Sequence, residues 1–179
     1  MLNIVLFEPE ISPNTGNIIR TAFALNAKLH IIKPIAFDLD PKYLSRPAAG
    51  RLLSDIPHEI HASYKDFYNL YGKKNIYYLT RYGLKNYAQI DYKKELLEKN
   101  EIWIMFGKES TGIDKEILIK NLNNCLRIPM VDKMRSINLA NTVAIVGYEI
   151  MRQLDFKELS LFETQKGKNY LEELKKNGE

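Results

Sequence analysis

Residues 13–21 follow an apolar run and contain the first set of side chains that could do chemistry; they read Pro-Asn-Thr-Gly-Asn-Ile-Ile-Arg-Thr. Asn14 or Thr15 can cap a helix that begins here, and Gly16 would let a backbone or a ligand approach closely. Arg20 falls one turn into that helix among apolar neighbours, where its guanidinium could hold a phosphate through two hydrogen bonds. An exposed structural arginine fits the same spacing, so both interpretations stay open.

Residues 106–113, Phe-Gly-Lys-Glu-Ser-Thr-Gly-Ile, form a second set directly after another apolar run. Gly107 and Gly112 flank Glu109, which predicts a tight loop whose exposed amides could hold the polar groups of a ligand. The loop lacks the Gly-Lys-Ser/Thr ending of a P-loop and the Gly-x-Gly-x-x-Gly pattern of dinucleotide sites, so phosphate cradling is disfavoured. A plain turn between a strand and a helix is the alternative.

Residues 127–141 form the third set and read Arg-Ile-Pro-Met-Val-Asp-Lys-Met-Arg-Ser-Ile-Asn-Leu-Ala-Asn. Ser136 or Asn138 can cap the helix that follows, which accounts for one polar residue. Asn138 and Asn141 would share one face of that helix. Burying two side-chain amides on an apolar helix costs free energy unless they form hydrogen bonds with a ligand, water or another chain. The segment therefore predicts a binding surface at the start of a helix.

The three sets each lie at a predicted junction between a strand and a helix. Short runs rich in β-branched or aromatic residues predict strands at Ile4–Phe7, Leu29–Ile32, Glu59–His61, Ile76–Thr80, Ile102–Phe106 and Cys125–Ile128. Helices are predicted at Thr15–Leu25, Tyr64–Leu70, Lys93–Lys99, Asp114–Asn121, Asn138–Leu154 and Asn169–Lys176. This alternation predicts an α/β fold with a mainly parallel sheet and helices on both faces, and ligands bind such sheets at the carboxyl ends of the strands. The helix at Asn138–Leu154 is apolar on more than one face, so we expect a partner subunit to cover it.

Other classes of site have little support. The run from His58 to His61 lacks one residue of the His-Glu-x-x-His zinc motif, and its two histidines would point to opposite faces of a strand, so surface or edge histidines are favoured. Cys125 is the only cysteine, which excludes an intrachain disulfide and a cysteine metal cluster and favours a core thiol. The absence of a Gly-x-Ser-x-Gly elbow disfavours hydrolase chemistry.

The 179 residues suffice for one domain, which we expect at 1–155, followed by a charged helix or tail at 156–179. The net charge of +4 is compatible with a polyanionic partner such as a nucleic acid. The first residues lack the pattern of a signal peptide, and no apolar run reaches the length of a membrane span. A cytoplasmic protein without a membrane partner is therefore expected.

The three sets, in this order, resemble the signature motifs of the SPOUT methyltransferases, and specifically the short TrmL/YibK-like branch that methylates the wobble nucleotide of tRNA. The matching runs are Asn-Thr-Gly-Asn-Ile-Ile-Arg-Thr, Phe-Gly-x-Glu-x-x-Gly, and Arg-Ile-Pro-Met followed by Arg-Ser-x-Asn-Leu-x-Asn; the resemblance covers residues 1–155. It implies an α/β sheet whose C-terminal part is threaded into a trefoil knot. It also implies a homodimer whose active site is shared between the subunits.

The resemblance implies S-adenosylmethionine as cofactor, S-adenosylhomocysteine as product and no metal. The implied reaction is methyl transfer to the ribose 2′-hydroxyl of tRNA, at the wobble cytidine or uridine of the anticodon. Alternatives are an rRNA or another RNA as substrate, or a non-catalytic RNA-binding module with the same fold. Residues 42–55 depart from the family's usual sequence, and Arg46 and Arg51 in this stretch are candidate RNA contacts or ordinary surface arginines.

Matching positions imply specific roles in the site. The implied cofactor-binding residues are Leu79, Thr80, Gly107, Glu109, Gly112, Ile128, Met130, Ser136, Asn138 and Leu139. The implied catalytic residues are Arg20, Asn14 and Tyr148, with Arg20 acting at the ribose. Because a guanidinium keeps its proton in proteins, we hypothesise that Arg20 binds the adjacent phosphate and favours loss of the hydroxyl proton by its charge.

Overall fold

A seven-stranded parallel sheet lies at the centre of the computed structural model, which describes residues 1–44 and 46–176. The strands are β1 (Leu2–Phe7), β2 (Lys28–Ile32), β3 (His58–His61), β4 (Ile76–Leu79), β5 (Lys85–Asn86), β6 (Ile102–Phe106) and β7 (Cys125–Arg127). Their order across the sheet is β3-β2-β1-β6-β4-β7-β5, and every neighbouring pair is parallel. The predicted α/β architecture is therefore confirmed.

The helices are α1 (Ser12–Ala24), α2 (Pro41–Leu44), α3 (Tyr64–Tyr71), α4 (Tyr92–Lys99), α5 (Lys115–Lys120), α6 (Leu139–Gln153) and α7 (Tyr170–Lys176). All six predicted helices and all six predicted strands are found, with ends that differ by at most three residues. The short elements α2 and β5 were not predicted. The trefoil knot that the family resemblance implies stays a prediction.

The start of α1 differs from the predicted one. The helix begins at Ser12, with Pro13 in its first turn, where the fixed φ of proline suits a helix and its missing N–H costs nothing. The residue before the helix is Ile11, which offers no side-chain cap. The prediction that Asn14 or Thr15 caps α1 is therefore wrong, because both residues lie inside the helix and are buried.

Each side of the sheet carries its own apolar layer. On one side, Ile4 and Leu6 of β1 pack with buried residues of α1, α4 and α6. On the other side, Val5 and Phe7 pack with buried residues of α3 and α5. Because both faces of β1 are covered, its sequence is almost continuously apolar. None of the helices in the described part of the chain has the length and apolar character needed to span a membrane.

The helix α6 packs against the sheet through one face and leaves the opposite side open. Val143, Val146 and Ile150 are fully buried, whereas Tyr148 is 48 % exposed. Cover by a partner subunit stays a prediction. The terminal helix α7 has no buried residue, residues 177–179 lie outside the described part, and the domain boundary after residue 155 stays a prediction.

Two histidines face each other beneath α3. His30 Nδ1 lies 3.1 Å from His61 Nε2, and His30 Nε2 lies 3.3 Å from Asn3 Oδ1. Both His58 and His61 lie on the edge strand β3, as predicted, but only His58 is exposed; His61 is 5 % exposed because α3 covers this edge. Together with Glu59 the pair has the donor types of a metal site, although a hydrogen bond joins the two nitrogens here. That the protein needs no metal stays a prediction.

We expect this histidine pair to make the fold acid-sensitive. Burial, and next the nearby Lys28 cation, lower the pKa of His30 to about 3, and burial also lowers the pKa of His61. In the unfolded chain each histidine titrates near about pH 6.5. The unfolded state therefore binds more protons below that pH, so stability is complete above about pH 6.5 and is lost as the pH falls from there towards about 3.

The measurement is urea unfolding at about pH 7.5, 6 and 5. The free energy of unfolding should fall by up to about 1.4 kcal/mol per pH unit for each histidine that must stay neutral. The variant His58→Asn, which changes only the exposed histidine of the same strand, should keep the wild-type slope. Equal stability at about pH 7.5 and about pH 5 would contradict the interpretation.

Candidate active site

A cavity of about 490 Å³ lies where β4, β6 and β7 end. Leu79 is the last residue of β4, Phe106 is the last residue of β6, and Ile128 directly follows β7; all three line the cavity. The carboxyl ends of neighbouring parallel strands are the usual ligand-binding edge of an open sheet, and the volume lies in the range of small-molecule sites.

The cavity brings together residues from all three sets identified in the sequence. All ten residues implied to bind cofactor line it, namely Leu79, Thr80, Gly107, Glu109, Gly112, Ile128, Met130, Ser136, Asn138 and Leu139. Asn14 also lines it, whereas Arg20 and Tyr148 do not. The structure therefore assembles the implied cofactor residues in one place, while their roles in binding stay predictions.

The loop after β6 depends on its two glycines. A Cβ added to Gly107 would lie 2.2 Å from the backbone nitrogen of Ile113 and 2.4 Å from the carbonyl carbon of Gly112. Gly112 itself has a φ of +77°, which favours glycine, and its N–H donates to the Lys108 carbonyl over 3.0 Å. The chain thus folds back on itself within van der Waals contact. The Lys108 ammonium fixes the loop to the end of β1 through an ion pair with Glu8 at 2.5 Å.

The carboxylate of Glu109 holds the segment between β1 and α1. It accepts hydrogen bonds from the backbone N–H of Glu10 at 2.9 Å, the backbone N–H of Ile11 at 3.3 Å and the side-chain amide of Asn14 at 2.9 Å. In return, the Glu10 carboxylate accepts from the backbone N–H and the hydroxyl of Ser110, at 2.8 and 2.7 Å. These reciprocal bonds lock the first and second sets of residues together.

Asn14 carries the connection onward to α6. Its Oδ1 accepts from Asn138 Nδ2 over 3.0 Å, and Asn138 Oδ1 accepts from the backbone N–H groups of Ala140 and Asn141 at 2.9 and 3.3 Å. Asn138 is therefore the N-cap of α6, which confirms one of the two caps predicted there. A continuous hydrogen-bonded chain from Glu109 through Asn14 and Asn138 joins all three sets.

Arg20 lies in a second hollow on α1 and α6, which shares Asn14 and Asn138 with the cavity. Its remaining lining residues are Asn17, Thr21, Ala140, Asn141 and Ala144. Tyr148 lines neither of these two spaces. Within one chain, the structure does not bring Arg20 or Tyr148 into the cavity.

The cavity mouth holds cations to which the sequence analysis assigned no individual role. Arg81, Lys115 and Arg135 line it together with Tyr82. The position of Arg81 and Tyr82 directly after the strand β4, at the sheet's ligand-binding edge, is a signal that could have identified them.

Glu109→Gln tests the hydrogen-bonded chain. Both carboxylate oxygens now accept from N–H donors, and the substitution replaces one of them with an amide NH₂, so at least one partly buried donor loses its partner. We expect the free energy of unfolding to fall by about 1–3 kcal/mol. Urea unfolding measures it, and Glu116→Gln, an exposed change on α5, is the matched control. Stability equal to that of the control variant would show that the carboxylate is not needed to join the three sets.

Comparison with known proteins now identifies the family. Residues 1–148 match the model of the SpoU rRNA Methylase family. The chain belongs to this family. One relative is a protein of Geobacillus stearothermophilus with the provisional name tRNA (cytidine(34)-2′-O)-methyltransferase. It is 42 % identical to this chain over 163 residues, which are 89 % of this chain and 99 % of that protein. The chain is thus a methyltransferase of the SpoU class.

Two solved structures that concern RNA methylation have the same fold. A structure that concerns 2-OH methylation of C/U34 on tRNA is 32 % identical, with a TM-score of 0.76 over 87 % of this chain and 91 % of that chain. An AdoMet-bound rRNA methyltransferase from Sinorhizobium meliloti is 25 % identical, with a TM-score of 0.72 over 86 % of this chain and 56 % of that chain. The seven-stranded sheet is accordingly a SpoU-class methyltransferase fold.

Proposed function

We propose that this chain transfers a methyl group from S-adenosylmethionine to the ribose 2′-hydroxyl of the wobble cytidine or uridine of tRNA, with S-adenosylhomocysteine as product. The observation that carries the proposal is the cavity at the strand ends, because it gathers ten residues that the family motifs assign to the cofactor. The substrate is supported by the name of the Geobacillus relative and by the solved structure that concerns C/U34 on tRNA. A cytoplasmic location fits this substrate.

The residues present fit the proposed cofactor. Leu79, Ile128 and Leu139 give the cavity apolar walls suited to an adenine ring, and Thr80 and Ser136 add hydroxyl groups suited to a ribose or an amino acid group. At Gly107 the closeness of Ile113 leaves no space for a side chain, so the floor of the cavity is bare backbone. When bound, S-adenosylmethionine would supply the electrophilic methyl group on its sulfonium.

The chain's own residues then have to align the ribose and assist loss of its proton. We propose that Arg20 holds the phosphate beside the target ribose and stabilises the developing negative charge on the 2′-oxygen. Asn14 donates to Glu109 and accepts from Asn138, so both ends of its amide are engaged by the protein. We therefore propose that Asn14 positions the second hollow against the cavity, in place of a direct part in proton transfer.

A shared site in a homodimer would bring Arg20 and Tyr148 to a cavity. Both lie on the surface of α1 and α6, where Phe23 is also exposed. A second copy packed on this face would carry its own Arg20 towards the cavity of the first. Equilibrium sedimentation tests this directly, and a stable monomer at micromolar concentration would contradict it.

The decisive experiment measures transfer of labelled methyl from S-adenosylmethionine to tRNA, followed by nuclease mapping of the labelled nucleotide. The matched control is an anticodon stem-loop with a 2′-deoxynucleotide at the wobble position, because it keeps the base and removes only the acceptor oxygen. Label at the wobble ribose that is absent from the deoxy control supports the proposal. Cofactor binding with no label on tRNA would redirect the search to rRNA or another RNA. Steeply salt-dependent RNA binding without cofactor affinity would instead indicate a non-catalytic module.

A further inference from the structure

A cationic rim surrounds the mouth of the cavity. We use this name for Arg81, Lys115 and Arg135, which line the cavity together with Tyr82. The pKa of Tyr82 is lowered first by the hydrogen bond that Arg81 donates to its hydroxyl, and then by the positive charges of Arg81, Lys115 and Arg135. The four side chains therefore share one electrostatic environment, and that environment is positive.

The rim cations have no acidic partner in the part of the chain that the structure describes. Elsewhere in the described ranges 1–44 and 46–176, several basic residues are neutralised by close carboxylates, in the pairs Lys28 with Glu59, Lys93 with Asp155, Lys108 with Glu8 and Arg152 with Glu149. Within those ranges, Arg81, Lys115 and Arg135 form no ion pair. Unpaired cations gathered at a cavity mouth favour an anionic partner.

Tyr82 is an exposed aromatic ring on a well-held loop. Its side chain is 52 % exposed, and the Arg81 guanidinium carbon lies 4.7 Å from the ring centroid, with a hydrogen bond of 2.5 Å to the hydroxyl. The Arg81 carbonyl accepts from the Arg127 guanidinium over 2.6 Å. The next residue, Gly83, packs so closely on β7 that an added Cβ would lie 2.4 Å from the Leu126 carbonyl carbon. The ring is thus presented to solvent without a loose backbone.

We propose that Tyr82 is a stacking platform for an unpaired base of the substrate RNA next to the methylated nucleotide, and that Lys115 and Arg135 hold the adjoining phosphates. An aromatic face beside unpaired cations is the combination that proteins use to bind single-stranded RNA. The proposal rests on the proposed function in one respect, since the target ribose must reach the cavity that the rim surrounds. It adds a nucleotide subsite beside the residues implied to bind the cofactor.

Stacking is tested with an anticodon stem-loop that carries 2-aminopurine beside the wobble nucleotide, bound to the protein saturated with S-adenosylhomocysteine. Tyr82→Ala should raise the Kd for this RNA about tenfold and restore the fluorescence that stacking quenches in the wild type. Tyr82→Phe keeps the aromatic face and should stay within about twofold of the wild type. Tyr68→Ala, which removes a tyrosine of similar exposure on α3, is the matched control and should change neither readout.

The phosphate contacts are tested by the salt dependence of the same binding. Lys115→Gln and Arg135→Gln should each reduce the slope of log K against log salt by about 0.7, the value for one contact to a single strand. Lys65→Gln, an exposed change on α3, should leave the slope unchanged. The Kd for S-adenosylmethionine, measured by calorimetry, should stay within about twofold in both rim variants.

Two results would overturn the proposal. If Tyr82→Ala binds the RNA and quenches its fluorescence as the wild type does, Tyr82 is not a stacking platform. A loss of cofactor affinity in Lys115→Gln or Arg135→Gln that exceeds the loss of RNA affinity would show that the rim serves the cofactor's carboxylate instead. Failure of the proposed function can be told apart from failure of the stacking proposal. If the wild-type protein binds the stem-loop and quenches its fluorescence but transfers no methyl group to it, the stacking proposal stands and only the proposed reaction is wrong.

Discussion

Arg20→Ala is expected to lower kcat for methyl transfer by about 10²–10³-fold, the usual cost of removing one charge-stabilising donor from a site. Affinity for S-adenosylmethionine should stay within about twofold, because Arg20 lies in the hollow on α1 and α6 and not in the cavity. Single-turnover transfer to tRNA measures the first quantity and calorimetry the second. This separation of effects follows from the geometry and would not be expected for a residue that contacts the cofactor.

Two further variants define what Arg20 does. Arg20→Lys keeps the charge but loses the two-pronged hydrogen bonding, so it should recover only a small part of the activity. Lys65→Ala, an exposed change on α3, serves as the control for loss of a surface charge. Near-full turnover by Arg20→Lys with unchanged RNA affinity would show that the bidentate phosphate clamp is wrong. A large loss of cofactor affinity in Arg20→Ala would place the residue in the cavity instead.

Gly107→Ala is expected to weaken cofactor binding strongly and to lower methyl transfer with it. The added methyl group would lie 2.2 Å from the Ile113 nitrogen and 2.4 Å from the Gly112 carbonyl carbon, both of which are backbone atoms that cannot rotate away. The loop would have to move by about 1 Å, and a displacement of that size in a site can cost about 10²-fold. We expect the Kd for S-adenosylmethionine to rise by at least that factor.

Calorimetry with S-adenosylmethionine measures this effect, and urea unfolding shows how much of the protein remains folded. Thr111→Ala changes an exposed side chain of the same loop without adding volume, so it should bind the cofactor within about threefold of the wild type. A folded Gly107→Ala variant with wild-type cofactor affinity would exclude the loop after β6 from the cofactor site.

Much of the fold follows from local pattern. The strands β1 and β6 are covered on both faces, so their sequences are apolar runs, interrupted only by Asn3, that are easy to recognise. By contrast, β5 consists of Lys85 and Asn86 alone, and two polar residues carry no periodicity. The buried position of His61 was also beyond local pattern, since it depends on α3 packing over the edge of the sheet.

The site was predictable as a set of residues but not as an arrangement. The motif resemblance named the ten residues that line the cavity, although they are spread over three distant segments. It did not reveal that the Glu109 carboxylate accepts hydrogen bonds from two backbone amides and from Asn14, because such bonds depend on side-chain rotamers and on the sheet order. Nor could spacing show that Arg20 lies in a separate hollow, since that depends on how α1 and α6 cross.

The interior position of β1 in the sheet has a consequence for how the protein emerges from the ribosome. One edge of β1 pairs with β2, which follows within about 20 residues, but the other edge pairs with β6, which begins at Ile102. A nascent chain that has completed β3 must still add about 40 residues before β6 appears, which takes about 2–8 s at the usual rate of synthesis. During that interval a long apolar strand edge is unpaired, so we expect chaperone binding to this protein to be concentrated between completion of β3 and completion of β6.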